Sequence, residues 1–170
     1  MELQTERLSL RPMSDAELQT LMEAVRPRDA ELADAYNDML RGSREHPQAR
    51  LWYTAWGAYR KNTGELVGDL CFKGPSAQPE IGYGMIEAFW GRGYATEACG
   101  AAVEAAFARG VHRVFAECNP ENAASWHLLE RLGFRREGLL RQNIFFRRDG
   151  DGRPVWQDTC VYARLREDGR

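Results

Sequence analysis

The sequence predicts a single α+β domain, an α/β sandwich in which a mixed sheet of about seven strands is flanked by about four helices. Its length of 170 residues suits one ordinary domain, and 44% of the residues are hydrophobic, which allows a real core. Strand-like and helix-like segments alternate along the chain and are separated by glycine-containing turns. We therefore interpret residues 1–170 as one domain.

The first third of the chain is predicted to hold one strand and two helices. Residues 3–13 alternate in part between apolar and polar side chains, as in a half-buried strand. Ser14 and Glu17 have the spacing of a capping box, which predicts a helix that Pro27 ends. An apolar stripe predicts a second helix over about 28–44.

An antiparallel hairpin should follow, with an aromatic-rich strand at 51–60, a turn at 62–64 and a partner strand at 66–72. The next strand, 80–86, contains two glycines, which predict a β-bulge or a close approach of a ligand. The remaining elements are two helices and three strands with turn residues between them. They are a helix at 94–109, a strand at 111–118, a helix at 122–132, and strands at 134–146 and 155–165.

Bulk properties exclude several classes of partner. A net charge of −2 gives no general attraction to nucleic acid or to anionic membranes. No apolar run approaches the roughly 18 residues of a membrane span, and the first residues lack the pattern of a signal segment, so we expect a cytoplasmic protein. The cysteines are far apart with no C-x-x-C pair, which favours buried thiols over disulfides or a metal site. No metal is expected.

The most informative stretch is residues 90–98, a glycine-rich turn that leads into an alanine-rich amphipathic helix. Glycines let the backbone approach a ligand, and the first N–H groups of a helix have no partners within it. The stretch therefore predicts a site for a pyrophosphate. A Rossmann fingerprint and a P-loop both fit poorly, because the turn follows hairpin-like strands and the P-loop lysine is absent.

Two motifs resemble the GNAT superfamily of acyl-coenzyme A-dependent N-acetyltransferases. Residues 90–95 read W-G-R-G-Y-A, which is similar to the family's phosphate motif [Q/R]-x-x-G-x-[G/A] except at Trp90. The whole stretch W-G-R-G-Y-A-T-E-A resembles the branch of ribosomal-protein N-terminal acetyltransferases. Asn122 and Ser125, followed by L-G-F at 132–134, resemble the family's second motif, and residues 5–12, 80–83 and 158–162 extend the likeness to nearly the whole chain.

The resemblance implies a GNAT fold and acetyl-coenzyme A as co-substrate, with the pyrophosphate in the turn and the pantetheine along the strand before it. Backbone N–H groups near Met85 are expected to polarise the thioester carbonyl. Such domains often form a homodimer, on which the sequence itself is silent. The predicted coenzyme-binding residues are Met85, Ile86, Trp90, Gly91, Arg92, Gly93, Tyr94, Ala95, Thr96 and Asn122.

Acetyl transfer to an amine needs a base for the amine proton and a donor for the departing thiolate. Glu80 and Glu117 are the candidate bases. Glu80 resembles the base of histone-type enzymes at a spacing one residue shorter, and Glu117 has the spacing of the base in the ribosomal-protein branch. Some members carry a donor tyrosine where this chain has Leu129, which leaves Ser125 as the candidate donor.

The acceptor is open at this point. The branch suggests a protein N-terminal α-amine, and antibiotics, polyamines or amino acids are alternatives. A coenzyme-binding sensor without turnover is a third hypothesis, which the leucine at position 129 permits.

Overall fold

The computed structural model describes residues 2–25, 55–74 and 77–169. In these ranges one eight-stranded sheet has the strand order β1-β2-β3-β4-β5-β6-β8-β7, and three α-helices lie against it. The strands are β1 Leu3–Gln4, β2 Leu8–Pro12, β3 Trp56–Arg60, β4 Leu66–Lys73, β5 Glu80–Met85, β6 Arg113–Cys118, β7 Arg135–Arg148 and β8 Pro154–Leu165. The helices are α1 Asp15–Val25, α2 Tyr94–Ala108 and α3 Ala123–Arg131.

The predicted α/β sandwich is confirmed, and the sheet is mixed because β5 and β6 pair in parallel while all other neighbours are antiparallel. The helix predicted at 28–44 and the first residues of the strand predicted at 51–60 lie outside the described residues. None of the helices in the described ranges is long and apolar enough to cross a membrane.

The predicted first strand is in fact two strands joined by a tight turn. Thr5 donates its backbone N–H to the Leu8 carbonyl at 2.9 Å, and its hydroxyl accepts the Leu8 N–H at 2.9 Å. These reciprocal bonds close the turn and fold β1 back onto β2, with Leu3 opposite Leu10. A side chain that bonds its local backbone competes with a continuous strand, which is why the prediction of one strand was wrong.

Helix α1 begins at the predicted capping box. The Ser14 hydroxyl accepts the Glu17 N–H at 3.2 Å, and the Glu17 carboxylate accepts the Ser14 N–H at 2.8 Å. The same carboxylate binds Arg11 at 2.6 Å and Tyr59 at 2.9 Å. Since Leu10 points from the same strand into the main core, Arg11 and α1 lie on the opposite face of the sheet.

The main core lies between the sheet and helices α2 and α3. Leu8, Val103, Val114 and Leu129 are among its fully buried side chains. The cysteines are free and buried, as predicted from their spacing; they are Cys71, Cys99, Cys118 and Cys160.

The parallel pair β5–β6 opens almost at once, because Glu80 opposite Phe115 is its one paired position. Strand β5 keeps an unbroken register with β4, from Glu80 opposite Lys73 to Met85 opposite Gly68. The bulge predicted in β5 is therefore wrong. The opening arises because β6 turns away from β5 while it pairs with β8 over its whole length.

We predict that Leu129→Ala lowers the free energy of unfolding by about 2–5 kcal/mol, because it leaves a cavity under α3. Leu139→Ala is the control, since Leu139 is 42% exposed whereas Leu129 is 1% exposed. Urea unfolding followed by circular dichroism measures both. Equal losses in the two variants would contradict the position of Leu129 in the core.

Candidate functional site

A cleft of about 840 Å³ lies beside the opening between β5 and β6. Its walls come from the end of β5, the glycine-rich turn before α2 and one face of α3. It brings together most of the predicted coenzyme-binding residues, which are distant in the sequence. The predicted residues that line it are Met85, Trp90, Gly91, Gly93, Tyr94, Ala95, Thr96, Asn122 and Ser125.

The turn before α2 has the backbone conformation that its glycines allow. Gly91 and Gly93 have φ values of 71° and 78°, in the left-handed region that favours glycine. Gly93 is the N-cap of α2, and no side chain caps that helix end. The first N–H groups of α2 are therefore directed at the cleft with the positive end of the helix dipole, which suits an anion.

Trp90 fastens this turn to the end of β5. Its indole N–H donates to the Met85 carbonyl at 2.8 Å, while 64% of the residue stays exposed. Ile86 donates its own N–H to the Val67 carbonyl at 3.0 Å, so this predicted backbone donor is already engaged. Because antiparallel pairing alternates, the Met85 N–H points away from β4 and toward the opening.

Arg92 does not line the cleft, unlike its neighbours in the turn. Its guanidinium lies 5.7 Å from the centre of the Phe89 ring, and its carbonyl accepts a hydrogen bond of 3.0 Å from Arg7. The positive charge of Arg92, a predicted coenzyme-binding residue, is therefore turned toward Phe89.

A carboxylate in the first turn of α2 holds the N-terminal turn against the glycine-rich turn. Glu97 accepts the Arg7 backbone N–H at 2.8 Å, the Arg7 side-chain Nε at 2.6 Å and the Thr5 hydroxyl. Burial alone would raise the pKa of Glu97, but these bonds and the Arg7 charge outweigh it and keep the pKa below its ordinary value. Arg7 also stacks on Tyr94, 4.6 Å from the ring centre.

The start of α3 carries both polar residues of the second motif. Asn122 is its N-cap, and the side-chain oxygen accepts the Ser125 N–H at 3.1 Å. The Ser125 hydroxyl lies 2.9 Å from the hydroxyl of Tyr83 on β5. Ser125 therefore presents a hydroxyl at the point where β5 and α3 meet.

The two candidate bases lie on the other face of the sheet. In β6, Cys118 faces the main core, so Glu117 points away from α2 and α3, and Glu80 alternates in the same way with Ile81. Glu80 pairs with Lys73 at 3.5 Å. Burial raises the pKa of Glu117, the charge of Glu80 raises it further, and the charge of Lys73 offsets part of the rise.

Several residues of the site were not among the predicted ones. Tyr83, His127 and Arg131 line the cleft. Arg7 supports the site from outside. The alternation of β5 places Tyr83 on the same face as Ile81, which is a signal that the sequence does contain.

Residues 7–135 match the family model described as the acetyltransferase (GNAT) domain. The chain belongs to this family. The matched residues include the glycine-rich turn, both candidate bases and the start of α3.

Relatives in bacteria carry related names. The chain is 37% identical over 112 residues to the uncharacterized N-acetyltransferase YoaA of Bacillus subtilis, covering 64% of this chain and 60% of that protein. It is 28% identical over 123 residues to the [ribosomal protein uS5]-alanine N-acetyltransferase of Escherichia coli, covering 69% of this chain and 59% of that protein. The chain thus spans about three-fifths of the length of these relatives.

The fold is shared with a solved structure of RimL, a ribosomal L7/L12 α-N-protein acetyltransferase in complex with coenzyme A. The TM-score is 0.78 at 21% identity, and the likeness covers 97% of this chain and 98% of that one.

We predict that Arg7→Ala weakens the binding of coenzyme A by about tenfold, because Glu97 loses charge-assisted bonds and the glycine-rich turn loses its support. Arg113→Ala is the matched control, since it breaks an arginine–glutamate pair with Glu137 far from the turn. Isothermal titration calorimetry gives both dissociation constants. Equal affinities for the two variants would show that the turn holds its shape without Arg7.

Proposed function

We propose that this chain transfers the acetyl group of acetyl-coenzyme A to a primary amine, and that the acceptor is the α-amine of a protein N-terminus. Family membership supports the reaction class. The relative that acetylates an alanine of ribosomal protein uS5 supports the acceptor class.

The observation that carries the proposal is the opening between β5 and β6, with different chemistry on its two faces. A coenzyme whose pyrophosphate binds at the start of α2 would reach the opening along β5, where the Met85 N–H is directed at it. Ser125 lies on the helix side of the opening, and Glu117 lies on the opposite face. A thioester in the opening would have an acceptor amine on one side and a sulfur donor on the other.

Glu117 fits the role of general base better than Glu80. Glu80 is already paired with Lys73, whereas the described part of the chain gives Glu117 no ion pair. The raised pKa of Glu117 brings its carboxylate closer to the basicity needed to accept an amine proton at neutral pH. We assign Glu80 the supporting role of raising that pKa through its negative charge.

The proposed reaction begins when the amine gives a proton to Glu117, directly or through a water, and attacks the thioester carbon. The backbone N–H of Met85 stabilises the oxygen as it gains negative charge. The carbon–sulfur bond then breaks, its electron pair stays on sulfur, and the Ser125 hydroxyl donates a hydrogen bond to the thiolate. The products are the acetylated amine and free coenzyme A.

We predict that Glu117→Gln lowers kcat by about 100-fold or more, whereas Glu80→Gln lowers it by about tenfold or less. A thiol reagent measures coenzyme A release from acetyl-coenzyme A with peptides that begin with alanine or serine, a polyamine, an aminoglycoside and free amino acids. Peptides already acetylated at the N-terminus are the control for non-specific hydrolysis.

The outcome separates the candidate functions. Turnover of a small amine alone would replace the proposed acceptor by a small-molecule one. Binding of acetyl-coenzyme A without turnover of any acceptor would favour the sensor. A larger loss in Glu80→Gln than in Glu117→Gln would exchange the roles of the two carboxylates.

We also predict that Glu117→Gln stabilises the fold increasingly as the pH rises from 4 to 7. The folded protein holds the Glu117 proton more tightly than the unfolded chain, in which the pKa is ordinary. As the pH passes the ordinary value, the unfolded chain ionises first and the stability contributed by this residue falls. Urea midpoints of both proteins across this range test the sign, and a variant less stable than wild type at pH 7 would contradict it.

A further inference from the structure

The contact between Tyr83 and Ser125 joins β5 to α3 at the inner part of the cleft. The two hydroxyl oxygens are 2.9 Å apart, and both residues line the cleft. The Tyr83 hydroxyl also lies 3.4 Å from the Ser125 carbonyl oxygen. A phenol thus lies beside the hydroxyl that the proposed reaction uses on the sulfur.

The helix position at which the family resemblance would place a tyrosine does not supply a phenol. Leu129 is 1% exposed and packs in the core. A hydroxyl donor near the sulfur must therefore come from elsewhere, and Tyr83 reaches the start of the same helix from the strand opposite.

The hydrogen-bond inventory of the pair determines what each hydroxyl can do. Each has one proton and can also accept a bond. When Tyr83 donates to the Ser125 oxygen, the serine proton is free to point at another acceptor. When Ser125 donates to Tyr83 instead, its proton is withdrawn from the cleft.

We propose that Tyr83 is a positioning residue, which donates to Ser125 and so aims the serine proton at the sulfur of coenzyme A. The inference rests on the proposed acetyl transfer. During the step the amine nitrogen bonds the carbonyl carbon, the amine proton goes to Glu117, and the carbon–sulfur electron pair stays on the departing thiolate. Ser125 and Tyr83 both keep their protons, and solvent protonates the thiolate after release.

The surroundings of Tyr83 suit a permanent donor. Burial raises the pKa of its phenol well above the ordinary value of 10, and the bond with Ser125 offsets a part of the rise. The other titratable groups that act on it are the thiols of Cys99 and Cys118. Since burial also raises the pKa values of these thiols, Tyr83 keeps its proton and has no charged neighbour among them at neutral pH. Chains of hydrogen bonds strengthen one another in such an environment.

A double-mutant cycle tests the coupling of the two hydroxyls. Tyr83→Phe should lower kcat about tenfold, the upper range for one neutral hydrogen bond, with little change in KM for acetyl-coenzyme A. In a protein that already carries Ser125→Ala, Tyr83→Phe should lower kcat by about twofold or less. Losses that multiply in the double variant, or a change confined to KM, would overturn the proposal.

Tyr162→Phe is the matched control. Its hydroxyl donates to Glu130 at 3.2 Å and so joins the sheet to the far end of the same helix. This variant should keep the wild-type kcat. A fall in kcat equal to that of Tyr83→Phe would show that the effect is a general loosening of α3.

An activity-free measurement separates this inference from the proposed function. Calorimetry at pH 7 and at pH 9 compares the affinities of coenzyme A and desulfo-coenzyme A. A thiol has a pKa of about 8.5, so at pH 9 coenzyme A offers a thiolate, whereas desulfo-coenzyme A has no sulfur to ionise. Wild type and Tyr162→Phe should favour coenzyme A more strongly at pH 9, and Tyr83→Phe and Ser125→Ala should lose most of that gain. This binding difference is expected even if the protein acetylates no acceptor. A lack of acetylation would refute the proposed function but not the role of Tyr83. The same gain in all four proteins would overturn the role of Tyr83.

Discussion

The bonds between the Glu97 carboxylate and the N-terminal turn are the constraint on which the rest of the site depends. An uncapped helix start and two glycines in the left-handed region give a turn little rigidity of its own. Glu97 fixes the first turn of α2 to Arg7, and the Arg7 guanidinium reaches the Arg92 carbonyl within the glycine-rich turn itself. The turn between β1 and β2, at the edge of the sheet, thereby holds the glycine-rich turn, which lies 85 residues later in the sequence.

The second constraint is the separation of β5 from β6. A parallel pair usually continues over several residues, but here β6 follows β8 and leaves β5 after one paired position. Buried backbone N–H and C=O groups without a hydrogen-bond partner have an energetic cost unless a ligand or solvent satisfies them. The opening thus leaves backbone groups of β5 available to a ligand, whereas continued pairing with β6 would occupy them. Tyr83 and Ser125 close the helix side of the opening.

The sequence predicted those features that depend on neighbours along the chain. The capping box at Ser14, the helix that starts at Asn122 and the glycine-rich turn are local patterns, and each lies where it was expected. The features that were missed join distant residues. Arg7 and Glu97 are 90 positions apart, and Tyr83 and Ser125 are 42 apart, so no spacing rule relates them. The glycines of β5 suggested a bulge, but β5 keeps its register with β4, and the opening beside it comes from the path of β6.

The two carboxylates on the face of the sheet opposite α2 and α3 have a consequence for product release. Glu80 and Glu117 make this side of the opening acidic, with Lys73 neutralising only one of the two charges. An amine reaches such a surface as a cation, whereas the amide formed in the proposed reaction carries no charge. In the proposed reaction the electrostatic attraction that gathers the acceptor is therefore lost when the amide forms, and the face that would favour the substrate would not retain the product.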